Sequence, residues 1–263
     1  MSKKGNIHVS SIIEEGAVIE ENVKIGPFCF VGNEVALKSG VELKSNVTVV
    51  GRTTIDAETV IFPFATIGEI PQDLKFIGES TELFIGKRNR IREGVTINTG
   101  TAGGGGVTLV GDNCLLMTGS HVAHDAKIGS NVVMANQAAV AGHCIIEDDV
   151  IIGGLSGVHQ YVRIGRGAII GAVTMVTNDV IPYGLVQASR GELDGLNYVG
   201  LKRSGVSRKD IMALRAGYQM LKQGDGTFQE RAARLLEETD SSYVREVVDF
   251  ILTESDRSFL IPG

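Results

Sequence analysis

Residues Met117 to Gly129 read MTGSHVAHDAKIG and bring His121, His124 and Asp125 within five positions of one another. An imidazole takes up and returns a proton near neutral pH, and a carboxylate beside it can hold one tautomer and stabilise the protonated ring. That is the chemistry of a general base. Of the five histidines in the chain, His143 and His159 follow at related phases of a sequence repeat, and only His8 lies apart. Four histidines along one side of a regular structure point to a site, and the elements that hold them in line have to be found in the rest of the chain.

The 263 residues allow one large domain or two unequal ones, with room for a substantial core. A formal charge of −6 argues against a general binder of nucleic acid or of anionic membranes. Tryptophan is absent, aromatics are 5% of residues, and 34 glycines are spread along the chain. Such a composition suits a repetitive structure with tight corners better than an aromatic-centred core. The N-terminus, MSKKGNIHVSSII, lacks a signal-peptide apolar stretch, and no run of about 18 apolar residues occurs. A soluble cytoplasmic protein without a transmembrane segment is expected. Cys29, Cys114 and Cys144 lack CxxC spacing and read as core thiols.

From Ile7 an aliphatic residue recurs at every sixth position through Ile67, and again at Ile85, Ile91 and Ile97. From Val110 to Val176 the register is strict for twelve units. Four residues after each of these stands a small or branched side chain, as at Ala17, Val23 and Cys29. A period of six fits neither a helix at 3.6 nor a plain strand at 2. It fits short strands joined by corners, the hexapeptide form of the parallel β-helix. Two interruptions, residues 68–82 and 100–106, read as loops thrown out from the solenoid. The four successive glycines of the second lack GKS or GKT, so an external flexible loop is expected rather than a phosphate cradle.

Turn signals break the repeat after Pro182, and helical patterns follow. Ser207 to Asp210 reads as a capping box ahead of Ile211, Leu214, Tyr218 and Leu221; Thr227 to Glu230 opens a second helix, and a third is expected over 242–253. The expected division is a β-helix over residues 1–188 and a small helical domain over 189–263.

Three hexads make one coil, so residues 18 apart stack. His124 then lies under Gly142 and Gln160, flanked by His143 and His159; removing the 100–106 insertion brings Asn98 alongside. This edge should be exterior, with His124 contributing little to packing. His121 and His124 are three apart and need not point the same way, and no glutamate or cysteine matches them, so no metal is expected.

The motifs QDLK, NRIREGVTIN, SHVAHD, AGH, GVHQY and GLKRSG, set in these repeats with a helical C-terminus, resemble the UDP-N-acetylglucosamine O-acyltransferases of lipid A biosynthesis. The resemblance covers essentially the whole chain. It implies a left-handed parallel β-helix, against the usual right-handed crossover, a homotrimer with sites in clefts between subunits, and no metal or organic cofactor. An acylated acyl carrier protein would be the donor, and UDP-N-acetylglucosamine the acceptor. By the same resemblance His124 is the general base, Asp125 its partner, and Gly142 the backbone N–H facing the oxyanion. Asp73, Lys75, Asn98, His121, His143, His159 and Gln160 would position substrate, with Asn197 and Arg203 at the nucleotide end. Ala172 matches a residue that closes the acyl groove, implying a medium chain, 12 carbons ahead of 14.

Asn98, Arg190, Val199 and Ser204 depart from the family pattern, so a 3-amino analogue of the acceptor stays open, as does a non-catalytic scaffold. The related glucosamine N-acyltransferases carry a uridine-binding domain before their repeats, for which a repeat starting at Ile7 leaves no room. Arg163, Arg166, Lys202, Arg203, Arg208 and Lys209 are the basic residues expected to meet an acidic carrier protein.

Overall fold

The computed structural model describes residues 6–187, 192–255 and 257–261. Among them, twenty-six strands of two to four residues run from Asn6–Ile7 to Met175–Val176. The second residue of nearly every strand is the aliphatic member of its hexad, and from Ile25 onward these side chains are buried in one continuous column. Successive strands turn onto three parallel sheets, so that Leu116 sits between Ile91 and Met134 in the ladder of the first face, and Val122 between Ile97 and Val140 on the second. Each buried Ile or Leu contributes about 1.5–3 kcal/mol, but only once the next coil covers it. The end of the column is accordingly open: Ile7 is exposed, and Ile13 and Ile19 are only half-buried.

Most corners turn because one residue adopts the left-handed backbone region. Asn22, Asn46, Asn113 and Asn131 do so with φ of 56–60°, the conformation that asparagine tolerates better than most residues. Phe28, Phe64, Leu155 and Val173 do so as well, all on the edge between the first and second faces, and they are 63–68% exposed. The three cysteines lie in the interior, where burial pushes the thiols of Cys114 and Cys144 up to about 11 and 12. They are core thiols, as expected.

Both insertions leave the same edge, between the second and third faces. The first is shorter than expected, since the strands Thr66–Glu69 and Glu82–Ile85 take in Gly68, Glu69 and Glu82. The second is not a free external loop: it turns through Ala102–Gly104 and folds back onto the coil, with Thr101 buried.

The first face ends in the strand Gly184–Gln187, which pairs antiparallel with Glu192–Leu196. The expected domain boundary at 188/189 and Arg190 lie outside the described residues. Four helices follow: α1 (Tyr198–Arg203), α2 (Arg208–Lys222), α3 (Phe228–Glu238) and α4 (Ser242–Leu252). Ser207 caps α2, while the reciprocal capping box belongs to α3, from Thr227 and Glu230. Helix α1 falls where turn signals dominate the sequence; Asn197 caps it. Leu214, Tyr218, Leu235, Val244 and Val248 form a second apolar core that reaches Ile181 and Leu193 at the end of the solenoid.

The C-terminal segment is pinned to the last coil by a buried ion pair. Asp179, fully buried, accepts from Arg163 N and Nε, each at 2.8 Å, and from Ser255 Oγ at 2.6 Å. The Arg163 guanidinium lies over the Phe250 ring, 4.7 Å from its centroid. Arg163 is therefore not free to meet a partner, contrary to the sequence expectation: its charge answers a buried carboxylate. Asp179→Ala leaves that cation unpaired and should cost about 3–5 kcal/mol, measured as a lower denaturant midpoint, with the C-terminal segment becoming protease-sensitive.

Candidate active site

The corner after Val122 carries His124 and then Asp125, whose φ of 59° turns the chain onto the third face. His124 Nδ1 lies 2.8 Å from Asp125 Oδ2. An ionised carboxylate only accepts, so Nδ1 carries the proton and Nε2 keeps its lone pair. The carboxylate is held from the other side by the second insertion: Thr101 N donates to Oδ1 at 2.8 Å and Thr101 Oγ1 to Oδ2 at 2.6 Å. Asp125 N donates to Thr108 Oγ1. His124 and Asp125 are 4% and 3% exposed, which corrects the expectation of an exterior base with little part in packing. The insertion that covers them is the reason.

Gly142 stacks directly on the ring. A Cβ there would lie 2.5 Å from His124 Cε1 and 2.7 Å from Nε2, so any side chain would displace the base. The N–H of Gly142 has no carbonyl acceptor among the described residues. It occupies the corner position two residues after the inward aliphatic, which is Pro27, Pro63 and Pro182 in other coils. A donor that the coil does not use is thus set beside the nitrogen that takes a proton.

The column above Asp125 is His143 and then Tyr161. These rings stack in parallel at 4.5 Å, and His143 meets His124 edge-on at 5.0 Å. Its Nδ1 is 3.7 Å from Asp125 Oδ2. Burial holds the His143 imidazole below its ordinary value, opposed by Asp125 and by Asp73 from the first insertion. That loop therefore brings Asp73 and Lys75 within electrostatic reach of His143. Burial also lowers His121, whose Nδ1 is 2.7 Å from Thr96 Oγ1. His159 and Gln160 continue the edge, and Arg257 of the C-terminal segment reaches His159 Nδ1 at 3.2 Å.

Two expected residues are engaged elsewhere. Asn98 is buried, and its Nδ2 donates to Ile70 O at 2.9 Å, which ties down the base of the first insertion. Asn197 caps α1 through Oδ1 and donates through Nδ2 to Gly167 O. Arg203 and Asn197 line a groove of about 620 Å³ with Asn131, Asp149 and Gly167, on the edge between the third and first faces. Ala172 is exposed on the remaining edge. One chain thus carries the expected site on three separate edges.

His124, Asp125 and His143 hold donor atoms within 4.8 Å of one another, a set that could take a metal ion and that differs from the His121–His124 pairing weighed from sequence. Both Asp125 oxygens are already engaged by donors and both imidazoles turn Nδ1 towards it, a geometry of hydrogen bonding rather than ligation. Thr101, Gly104 and Tyr161 are absent from the sequence-based set. Thr101 and Gly104 stand on an insertion, where the hexad register does not reach, whereas Tyr161 lies 18 residues after His143 and the register could have found it.

Hexapeptide coils with a polar edge and a helical C-terminal unit define the class of hexapeptide-repeat transferases; the family described as bacterial transferase hexapeptide matches residues 107–142. The second domain of UDP-N-acetylglucosamine O-acyltransferase matches residues 179–260. An acyl-[acyl-carrier-protein]–UDP-N-acetylglucosamine O-acyltransferase of Paracoccus denitrificans is 67% identical over 204 residues, 77% of either chain. That of Rhizobium johnstonii is 47% identical over the whole chain and 97% of its own length. The UDP-N-acetylglucosamine acyltransferase structure from Campylobacter jejuni superposes with a TM-score of 0.92 at 35% identity, covering 98% of this chain and 100% of that one. The Arabidopsis enzyme gives 0.85 at 32%, covering 97% and 99%. The chain belongs to the UDP-N-acetylglucosamine O-acyltransferase family, and its fold is the left-handed parallel β-helix.

The lowered His121 and His143 set a pH dependence. Their ordinary value is 6.5, so below it the unfolded chain gains protons that the folded protein refuses. Stability from these sites is complete above about 6.5 and declines as pH falls through their lowered folded values. Urea midpoints at two pH values bracketing this range should drop more for the parent than for a His121→Gln/His143→Gln double variant. Equal drops would count against this origin.

Proposed function

We propose that the chain transfers a 3-hydroxyacyl group from acyl carrier protein to the 3-hydroxyl of UDP-N-acetylglucosamine, the first step of lipid A biosynthesis, with His124 as general base. The observation that carries this reading is the Asp125–His124 pair, with Nε2 beside the unused N–H of Gly142. As the hydroxyl attacks the thioester carbonyl, its proton passes to Nε2. Asp125 stabilises the resulting imidazolium, and the Gly142 N–H donates to the oxyanion. Collapse expels the carrier thiolate, which takes the proton back from Nε2.

In this reading Asp73, Lys75, His121, His143, His159 and Gln160 surround the sugar, Arg203 serves the nucleotide, Asn197 acts indirectly by capping the helix that carries Arg203, and Ala172 limits the acyl chain at 12 or 14 carbons. Asn98 acts indirectly, through the loop that carries Asp73. No cofactor is needed for this chemistry. The solenoid, residues 1–188, supplies the chemistry, and the helical unit, residues 189–263, the nucleotide and carrier contacts. A groove of about 750 Å³ lined by Lys202, Arg208 and Arg215 with Tyr198, Ile211 and Met212 suits an acidic carrier. No helix among the described residues is long and apolar enough to cross a membrane, in keeping with the cytoplasm as site of action.

The edges support a homotrimer. Candidate residues lie on three separate edges, so a complete site needs edges from different subunits. Phe28, Phe64, Leu155 and Val173 support this independently. A left-handed backbone disfavours such side chains by roughly 1–2 kcal/mol each, and in a lone chain they would also leave apolar surface in water. A contact that buries them offsets both.

Two measurements test these readings. The purified protein, incubated with 3-hydroxyacyl carrier protein and UDP-N-acetylglucosamine, should yield the acylated sugar nucleotide by mass, with the 3-amino analogue as a parallel acceptor. His124→Ala should lower turnover roughly 10²–10⁴-fold. The ring is packed, so folding of the variant is checked first; near-normal turnover in folded protein would remove the base. For the assembly, Phe64→Asn relieves strain in a monomer but weakens an interface by about 1.5–3 kcal/mol per subunit. Light scattering should give a trimer for the parent and dissociation for the variant, whereas a monomeric parent would sink the assembly.

A further inference from the structure

We infer that Thr101 is a positioning residue for the catalytic pair, orienting Asp125 and governing how fully that carboxylate acts on His124. The inference rests on the reading of His124 as the base. Thr101 is the one residue that engages both carboxylate oxygens, through its N–H to Oδ1 at 2.8 Å and its hydroxyl to Oδ2 at 2.6 Å. Oδ2 is also the oxygen that receives His124 Nδ1. The hydroxyl and the imidazole therefore compete for the same charge.

The insertion is built to hold this contact. Asp125 stands in the left-handed backbone region at the corner. The insertion closes on it. A Cβ at Gly104 would lie 2.0 Å from Asp125 Cγ, so glycine lets the turn rest against the carboxyl group. The turn is braced in its own right: Ala102 N donates to Glu79 Oε1 of the first insertion at 3.2 Å, and Thr81 Oγ1 to Thr99 Oγ1 at 3.0 Å. Thr101 is itself buried.

Removing the hydroxyl has a signed consequence. With one donor fewer on Oδ2, more of the carboxylate charge falls on the imidazole, which then binds its proton more tightly. Catalysis needs neutral His124, so the rising limb of kcat/KM moves to higher pH. The other titratable groups near the pair are His143 and His121, with Asp73 and Lys75 of the first insertion acting on His143. Glu79 meets the turn through Ala102. None of these is altered by a change at Thr101.

The test compares Thr101→Val, which keeps shape and the N–H contact, with Thr101→Ser, which restores the hydroxyl, in the acyl-transfer assay across pH. Valine should lower kcat roughly 10- to 100-fold, the effect of one hydrogen bond to a charged group. It should raise the limb by about half a pH unit or more and leave the KM for the sugar nucleotide near the parent value. Serine should recover most of the rate. A valine variant with parental kcat and an unmoved limb, alongside an inactive His124→Ala, overturns the inference alone; so does a rate loss uniform across pH that serine fails to recover. Full turnover in His124→Ala overturns the base assignment and this role with it. Thr101→Ala gives the same readings if valine is not accommodated.

Discussion

A coil of this solenoid holds two-residue strands and three corners, and it cannot bury its own interior. Stacking supplies what a single coil lacks, so everything else in the molecule obeys an 18-residue register. The register is strict because an inward residue displaced by one position would face water. It permits insertions only at corners, where the backbone already leaves the ladder. The same register aligns chemistry. Asp125, His143 and Tyr161 form one column and His124, Gly142 and Gln160 the adjoining one, each held by hydrogen bonds from one coil to the next.

Two buried carboxylates illustrate opposite uses of one physical rule, that a buried charge must be answered by donors. Asp179 is answered by Arg163 and by Ser255 from the far end of the chain, and it secures the C-terminal segment. Asp125 is answered by its neighbour His124 and by Thr101 from the insertion of the preceding coil. The first arrangement pairs permanent opposite charges and locks structure. The second pairs the carboxylate with neutral donors, one of which is an imidazole, and so keeps a proton acceptor in reserve. Burial of His143 and His121 preserves that reserve by disfavouring competing positive charge beside it.

Exposed side chains divide along the same lines. Asparagine at a left-handed corner needs no further account, whereas phenylalanine, leucine and valine there call for something outside the chain. Arg166 pairs with Asp149 and Arg163 with Asp179, which leaves Lys202, Arg203, Arg208 and Lys209 on α1 and α2 as the exposed cations of the set expected to meet a carrier.

The period of six determined the β-helix, the identity of every inward residue and the column carrying the histidines, because each depends on positions a fixed distance apart. Capping residues located α2 and α3 for the same reason, being local. The His124–Asp125 pair was legible as neighbours with complementary chemistry. Tertiary structure decided what local spacing does not encode. Thr101 and Gly104 gained their roles because an insertion from one coil closes on the corner of the next, 24 residues further along the chain. Asn98 and Asn197, whose types suggest ligand contacts, were drawn to the carbonyls of a loop and of a corner instead. Arg163, a surface cation by composition, was taken by a carboxylate 16 residues away and by aromatic rings from the end of the chain. Periodicity reports which side chains face inward; which polar groups find one another depends on where the irregular segments come to rest, and that is set by burial and hydrogen bonding in three dimensions.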